Sequence, residues 1–335
     1  MSGTMRAIAY SRNGPAAEVL ELRDLPRPEP EPGEVRVRVV FSGVNPSDAK
    51  ARAGARGPLA HPLVVPHSDG AGVIDAVGDG VDPARVGQRV WLWNAAWGRA
   101  MGSCAEYVTL PAAQAVALPD AASFEAGACL GIPAQTAHRC VFADGPVTGQ
   151  RVLVTGGAGA VGAYAVQMAK LGGAAQVIAT VSGPEKAAHA SAMGADAVVN
   201  YRAGDTAAAI LEATGDAKVD RIVEVEFGGN LEVSRAVLAE NGVIAAYGSM
   251  AAPEPVLPWY PMMFAALTIR MVLVYSLPQA SRQAAIADLT RWLEAGALQH
   301  PVAAIHPLAA TAQAHDEVLA PGRIGAMLVR VTDGG

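Results

Sequence analysis

Val152-Leu153-Val154-Thr155-Gly156-Gly157-Ala158-Gly159-Ala160-Val161-Gly162, continued by Ala163 to Leu171, is the stretch that decides the fold. It reads as an apolar strand, a glycine turn and a helix. Gly157, Gly159 and Gly162 fit a GxGxxG spacing, in the strand–turn–helix context that the motif requires. Such a turn lets backbone N–H groups approach a pyrophosphate at a helix N-terminus that carries partial positive charge. The stretch therefore points to a dinucleotide.

Downstream of the turn the chain alternates. A strand at Gln176–Val181 leads to a helix from Pro184 to Met193, then a strand Ala197–Asn200 and a helix Thr206–Ala213. Asp220–Val225 reads as a strand, Asn230 as the cap of a helix ending near Gly242, and Gly242–Tyr247 and Leu267–Tyr275 as further strands. Upstream, Ser123 caps a helix running to about Phe142. This alternation implies right-handed βαβ units in a parallel, doubly wound sheet. From Arg6 to about Pro119 the texture differs. Short β-like runs such as Glu34–Phe41 and Gln88–Trp93 are punctuated by Gly and Pro, which suggests an all-β barrel. After Tyr275 a helix Gln279–Ala295, a helix near Thr311–Leu319 and a strand Ala326–Val331 return to the company of that barrel. The expected fold is α/β, a Rossmann sheet over 123–276 inserted into a second domain formed by 1–122 plus 277–335.

Composition narrows the function classes. The chain has 335 residues, a length suited to about two domains. Its 51% hydrophobic and 17% charged residues support a well-buried core. A net charge of -6 and the lack of a basic run disfavour a nucleic-acid surface. The N-terminus shows no signal-peptide pattern, and Pro258, Pro261 and Arg270 interrupt the most apolar stretch, so neither export nor a membrane span is expected. Cys104, Cys129 and Cys140 have no paired spacing and read as reduced, buried thiols of a cytoplasmic protein.

The second strand names the dinucleotide. An NAD-preferring site places an acid about 20 residues beyond the glycines, on the ribose 2′-OH. Here Ser182 stands at the tip, with Lys186 one helical turn on and Tyr201 after the third strand. An acid there would repel a 2′-phosphate by on the order of 4 kcal/mol at about 4 Å and an effective dielectric near 20, before salt screening. A serine removes the repulsion and Lys186 adds attraction. The trio favours NADPH; Glu185 beside it weighs the other way, and Lys186 and Tyr201 also read as a solvated helix lysine and a local packing residue.

No zinc set stands out. His61 and His67 lie in one region with Asp48 and Asp69, but no thiolate accompanies them before Cys104, and they read as histidines at the surface or one layer behind a site rather than as ligands. At this point a family pattern is legible. Ser42-Gly43-Val44-Asn45-Pro46-Ser47-Asp48, Ser68-Asp69-Gly70-Ala71-Gly72-Val73, Ala105-Glu106-Tyr107, Gly131 to Ala137, the glycine turn, Gly194-Ala195-Asp196 through Asn200-Tyr201-Arg202, and Gly242 to Gly248 run from end to end. With them the chain resembles the zinc-independent, zeta-crystallin-like quinone oxidoreductase branch of the medium-chain dehydrogenase/reductase superfamily. In zinc-dependent members the place of Asn45 holds a ligand cysteine and that of Ser68 a ligand histidine, so no metal is expected. His67 takes what is usually a glycine place, Lys50 that of a tyrosine, and Ala326 that of a lysine.

The resemblance implies a GroES-like barrel split around a Rossmann domain, NADPH in the cleft between them, and hydride transfer to a quinone. Asn45 and Thr136 match positions near the nicotinamide and its ribose. Gly159, Ala160 and Val161, with Gly156, Gly157 and Gly162 around them, match the pyrophosphate turn. Ser182, Lys186 and Tyr201 match the 2′-phosphate pocket, and Ser249, Val272 and Val274 the nicotinamide end. Asn45 also reads as a turn residue before Pro46. Lys50 is a candidate electrophile or proton donor, or an exposed helix lysine. No other internal acid is evident. The alternatives are a reductase of conjugated enones, enals or enoyl thioesters, and a non-enzymatic NADPH-binding protein. Leu267–Tyr275 reads as an apolar edge strand, and in relatives that edge pairs across a two-fold axis, so a homodimer is expected.

Overall fold

A computed structural model of the chain describes residues 3–332. Residues 1–2 and 333–335, which fall within the domain limits expected from sequence, lie outside the described residues. The chain divides into Met1–Ile132 with Ile286–Gly335, here the flanking unit, and Pro133–Ala285, the insert. Both boundaries fall later than the expected 122/123 and 276/277. The upstream helix is the reason at the first. Phe124–Gly127, capped by the Ser123 hydroxyl, gives way to a wide turn at Leu130–Ala134 that contains Pro133, and helix resumes over Gln135–Phe142. One long helix was expected; the structure has two segments.

The insert is a six-stranded sheet. Its strands are Arg151–Val154, Gln176–Val181, Ala197–Asn200, Val219–Glu224, Leu238–Ala246 and Thr268–Met271, all pairing in parallel. Numbered in chain order they lie 3-2-1-4-5-6 across the sheet. Val152, Leu153, Ile178, Val223 and Ile244 are fully buried, as strands covered on both faces require. The order reverses between the strand that leads into the glycine turn and Val219–Glu224. In such sheets ligands sit outside the strand C-termini at that switch point.

Two expected elements of the insert differ. Asn230 lies inside the helix Phe227–Val237 and caps nothing: its Nδ2 donates to Glu224 Oε1 at 2.9 Å. The edge strand Thr268–Met271 is shorter than the expected Leu267–Tyr275, because the chain turns inward at Val274–Ser276 and buries Val274 and Tyr275.

In the flanking unit, Val35, Val37 and Val39 alternate with Glu34, Arg36 and Arg38, so the strand Glu34–Val44 turns one face to the core. It pairs antiparallel with Asp69–Val77, Tyr107–Pro111 and Ala326–Arg330. Arg89–Leu92, Ala115–Ala117 and Val302–Pro307 complete a seven-stranded barrel sheet, and Thr4–Ala9 with Glu21–Pro26 forms a separate hairpin. This is the GroES-like barrel, and the Rossmann sheet is inserted into its sequence. Among the described residues no helix is long and apolar enough to cross a membrane.

Candidate functional site

In the insert the glycines divide the work of one tight turn. Gly156 has φ +66°, a left-handed conformation that favours glycine. A Cβ on Gly157 would lie 2.6 Å from the Ala179 Cβ on the neighbouring strand, and one on Gly162 would strike the Gly156 carbonyl. These two let helix and strand close on each other. Gly159 is the N-cap of the helix Ala160–Leu171, and no side chain caps that helix. Its first-turn N–H groups, on Ala160 and Val161, are left by helix geometry for an outside acceptor. The chain thus offers a backbone donor cradle for the pyrophosphate of a dinucleotide.

The turn is braced from below by a group that the sequence reading passed over. Glu224 is fully buried at the end of its strand. Its carboxylate accepts from Thr155 Oγ1 at 2.7 Å, Glu226 N at 2.7 Å, Asn230 Nδ2 at 2.9 Å and Ser234 Oγ at 3.2 Å. Thr155 Oγ1 in turn accepts from Val225 N at 2.9 Å. A buried carboxylate needs such donors, which explains why Asn230 faces inward instead of capping a helix.

Ser182 and Tyr201 come together at the strand tips. Asn200 pairs with Val181, and Tyr201 N donates to the Val181 carbonyl at 3.1 Å. Lys186 sits in the first turn of the helix Pro184–Ala192, half-buried, while Glu185 is exposed. Arg202, which the sequence reading quoted only as part of a motif, places its guanidinium 5.9 Å from the Tyr201 ring centroid. It adds a second cation to this corner.

Thr136 is buried in the helix Gln135–Phe142, and Val274 in the turn after the edge strand. Arg282 ties the two segments: it donates to Gln135 Oε1 at 2.6 Å and to the Val274 carbonyl at 2.5 Å. Burial pulls its guanidinium down to about 10. The signal was legible, since Arg282 lies in phase with Ala285, Leu289 and Trp292 on the buried stripe of the helix Gln279–Glu294. Ser249 Oγ accepts from Gly228 N at 2.9 Å and donates to the Ala252 carbonyl at 2.6 Å, which fixes its loop. Val272 is half-buried, and its N–H donates to the Ala246 carbonyl at 2.8 Å.

Asn45 and Lys50 belong to the flanking unit. Asn45 is the buried N-cap of the helix Pro46–Arg52, on which Lys50 is half-buried. Asn45 N donates to Asp48 Oδ2 at 2.8 Å, and Asn45 Nδ2 donates to Asp69 Oδ2 at 2.8 Å. Asp69 Oδ2 also accepts from Ile132 N at 2.9 Å. Burial pushes the Asp48 carboxyl up to about 7, and that of Asp69 well above the usual carboxylate range. Two internal acids therefore flank Asn45, where the sequence showed none. His67, read from the sequence as a histidine at the surface or one layer behind a site, is fully buried with φ +78°. That left-handed backbone explains why glycine is usual at its position. Ser68 is buried, and among the described residues no three His, Cys, Asp or Glu side chains converge as metal ligands would. The residues present do not fit a zinc site: an amide and a hydroxyl stand at 45 and 68.

A Rossmann insert with a glycine-turn crest, carried by a split GroES-like barrel, defines a dehydrogenase/reductase of the medium-chain type. The sequence matches the alcohol dehydrogenase GroES-like domain over residues 31–120 and the zinc-binding dehydrogenase family over residues 160–292. It is 32% identical to human quinone oxidoreductase over 331 residues, 97% of each chain. Among solved structures it superposes with a TM-score of 0.88 on an NAD-dependent alcohol dehydrogenase, 31% identical over 98% of this chain and all of that one. The mycobacterial protein Rv1454c complexed with NADPH gives 0.85 at 28% identity, over 97% of this chain and 99% of that one. The chain belongs to the quinone oxidoreductase branch of the medium-chain dehydrogenase/reductase superfamily. It is an NAD(P)-dependent oxidoreductase.

Proposed function

We propose that this chain is an NADPH-dependent oxidoreductase that passes hydride to a quinone without a metal ion. The observation that carries the reading is the strand-tip corner. Tyr201 is held beside the strand that ends at Ser182, Lys186 follows in the next helical turn, and no acid stands at the tip. A 2′-phosphate would meet hydroxyls and the cations of Lys186 and Arg202 there.

Bound at this crest, the cofactor supplies the hydride. The protein supplies position. Gly159, Ala160 and Val161 present N–H groups to the pyrophosphate. Thr136, Ser249, Val272 and Val274 hold the nicotinamide end, with Arg282 fixing two of their segments. Asn45, held by Asp48 and Asp69, is the flanking unit's candidate for the nicotinamide ribose. A quinone that has accepted hydride is a hydroquinone anion, whose oxygens take protons from water. Asp48 holds a proton near neutrality beside Asn45, and Lys50 is a second candidate donor on the same helix.

Stopped-flow oxidation of NADPH and NADH against an ortho-quinone, a para-quinone and an enone tests the reading. Quinone turnover with NADPH preferred by at least roughly tenfold is expected, the equivalent of about 1.4 kcal/mol. Faster turnover of the enone would make the chain a double-bond reductase of enones, enals or enoyl thioesters. Tight NADPH binding with no turnover would make it a non-enzymatic binder. Activity should survive dialysis against a chelator.

We also propose a homodimer through the edge strand Thr268–Met271, within the expected 267–275 region. Met271 is 82% exposed and Leu273 52%, an apolar edge that soluble proteins usually cover. Light scattering at micromolar concentration should give the mass of two chains; a monomer defeats the idea.

A further inference from the structure

A file of four hydrogen-bonded side chains runs through the flanking unit, every member fully buried. His315 Nε2 lies 2.8 Å from His67 Nε2. His67 Nδ1 lies 2.8 Å from Ser42 Oγ, and Ser42 Oγ lies 2.8 Å from Ser103 Oγ. Ser103 Oγ donates to the Asp69 carbonyl at 2.5 Å. The four residues come from distant segments: the helix Thr311–Glu317, the turn that starts at Pro66, the strand Glu34–Val44, and the loop before Ala105.

The direction of the file follows from counting hydrogens. A neutral imidazole has one donor and one acceptor, and a hydroxyl has one hydrogen. Burial keeps both imidazoles neutral, holding His67 well below its usual range and His315 down at about 3. The carbonyls within reach of Ser103, that of Asp69 and that of His67 at 3.4 Å, can only accept, so the Ser103 hydrogen is committed to them. Ser42 must then donate to Ser103 and accept from His67 Nδ1–H. His67 Nε2 is left as an acceptor, and His315 must donate from Nε2. Every hydrogen in the file is used. His315 Nδ1, the ring atom without a partner, is then a lone pair and not an N–H.

A file that ends on a carbonyl oxygen has no proton to pass on. It positions and does not conduct. What it grips is the turn from His67 to Asp69, whose first residue adopts a left-handed conformation costly for a side chain. From that turn the Asp69 carboxyl reaches Asn45 Nδ2 and Ile132 N. We propose that His67 and His315, acting through Ser42 and Ser103, are positioning residues that set the Asp69 carboxyl and, through it, the Asn45 amide. The inference rests on the reading of Asn45 as a cofactor contact.

Two substitutions at one position test it. Glycine accepts φ +78° but cuts the file. Asparagine also tolerates that backbone and presents Nδ2–H where His67 has Nδ1–H. His67→Gly should lower kcat roughly tenfold, with the KM for NADPH changed less than about threefold, and His67→Asn should restore most of the loss. Unchanged kcat in His67→Gly, or an equal loss in both variants, overturns the proposal. Two NMR readouts do not depend on turnover. Imidazole 15N shifts should show His67 protonated at Nδ1 and His315 at Nε2; the reverse tautomers overturn the file. The Asn45 side-chain amide resonance should move in His67→Gly and return in His67→Asn. If the wild-type protein reduces no acceptor, the proposed function fails, and an unmoved Asn45 resonance then decides against the file separately.

Discussion

The crest of the insert draws its polar groups from the backbone of one continuous stretch, Thr155 to Gly162. The polar knot of the flanking unit draws its groups from the side chains of Ser42, Asn45, His67, Asp69, Ser103 and His315, spread over nearly the whole sequence. The first needs small residues at fixed intervals, because its donors are N–H groups that a helix start leaves over in any case. The second needs every member to satisfy another, because a buried group stripped of its partner bears the full cost of desolvation. A backbone site is thus damaged by adding atoms, and a side-chain site by removing them.

The largest effect should come from adding atoms to the crest. Gly162→Val forces its side chain onto the Gly156 carbonyl carbon and Gly157 Cα, each 2.9 Å from the first added atom. Overpacking against backbone costs about 1–3 kcal/mol, and this site belongs at the upper end. NADPH affinity, read by cofactor fluorescence, should fall roughly 100-fold, the equivalent of about 3 kcal/mol. Native affinity would mean that the turn does not hold the pyrophosphate.

Ser182→Asp comes next. It should erase the preference for NADPH over NADH by roughly 100-fold, since an added charge pair near 4 Å is worth on the order of 4 kcal/mol before salt screens part of it. An unchanged ratio of kcat/KM for the two cofactors moves the 2′-phosphate elsewhere.

Removing a group from the knot should show in acid. His315 is held at about 3 when folded, below the ordinary value of 6.5, so the unfolded chain binds more protons between these limits. Its contribution is fully present above pH 6.5 and is lost as pH falls toward 3. From pH 7 to pH 5 this amounts to about 2 kcal/mol at most for one imidazole. Urea unfolding should show that loss, and His315→Gln should flatten the slope. A variant slope equal to that of the wild type removes His315 from the account.

Lys50→Ala should have the smallest effect. A hydroquinone oxygen can be protonated by water, so kcat should change less than tenfold, whereas a positioned general acid contributes roughly 10²–10⁴-fold. A fall of 10²-fold in steady-state turnover would make Lys50 the donor.

This contrast also explains what was readable in advance. The helix Ala160–Leu171, the strands Gln176–Val181 and Ala197–Asn200 and the helix Thr206–Ala213 appear at the bounds expected from the sequence. Their caps and apolar periods are local. The Asn230 cap failed because a distant carboxylate, Glu224, competed for its amide. The edge strand came out short because the chain turns inward at Val274, whose carbonyl Arg282 holds. In the flanking unit, Asp48 and Asp69 stood out in the sequence only as acids near His61 and His67, and it is burial beside Asn45 that raises both. His67 was marked as departing from a glycine position, but its partner His315 lies 248 residues away and no spacing could announce it.

Gly159 has a separate consequence. Unlike Gly157 and Gly162, a Cβ there would meet only the Gly156 carbonyl oxygen, at 3.3 Å, and the backbone is extended. Gly159→Ala would therefore leave hydrogen exchange and melting of the empty protein close to normal. A methyl group at that point intrudes on whatever rests against the helix start, and on little else. Within a single motif, two glycines answer to the polypeptide and one answers to its guest.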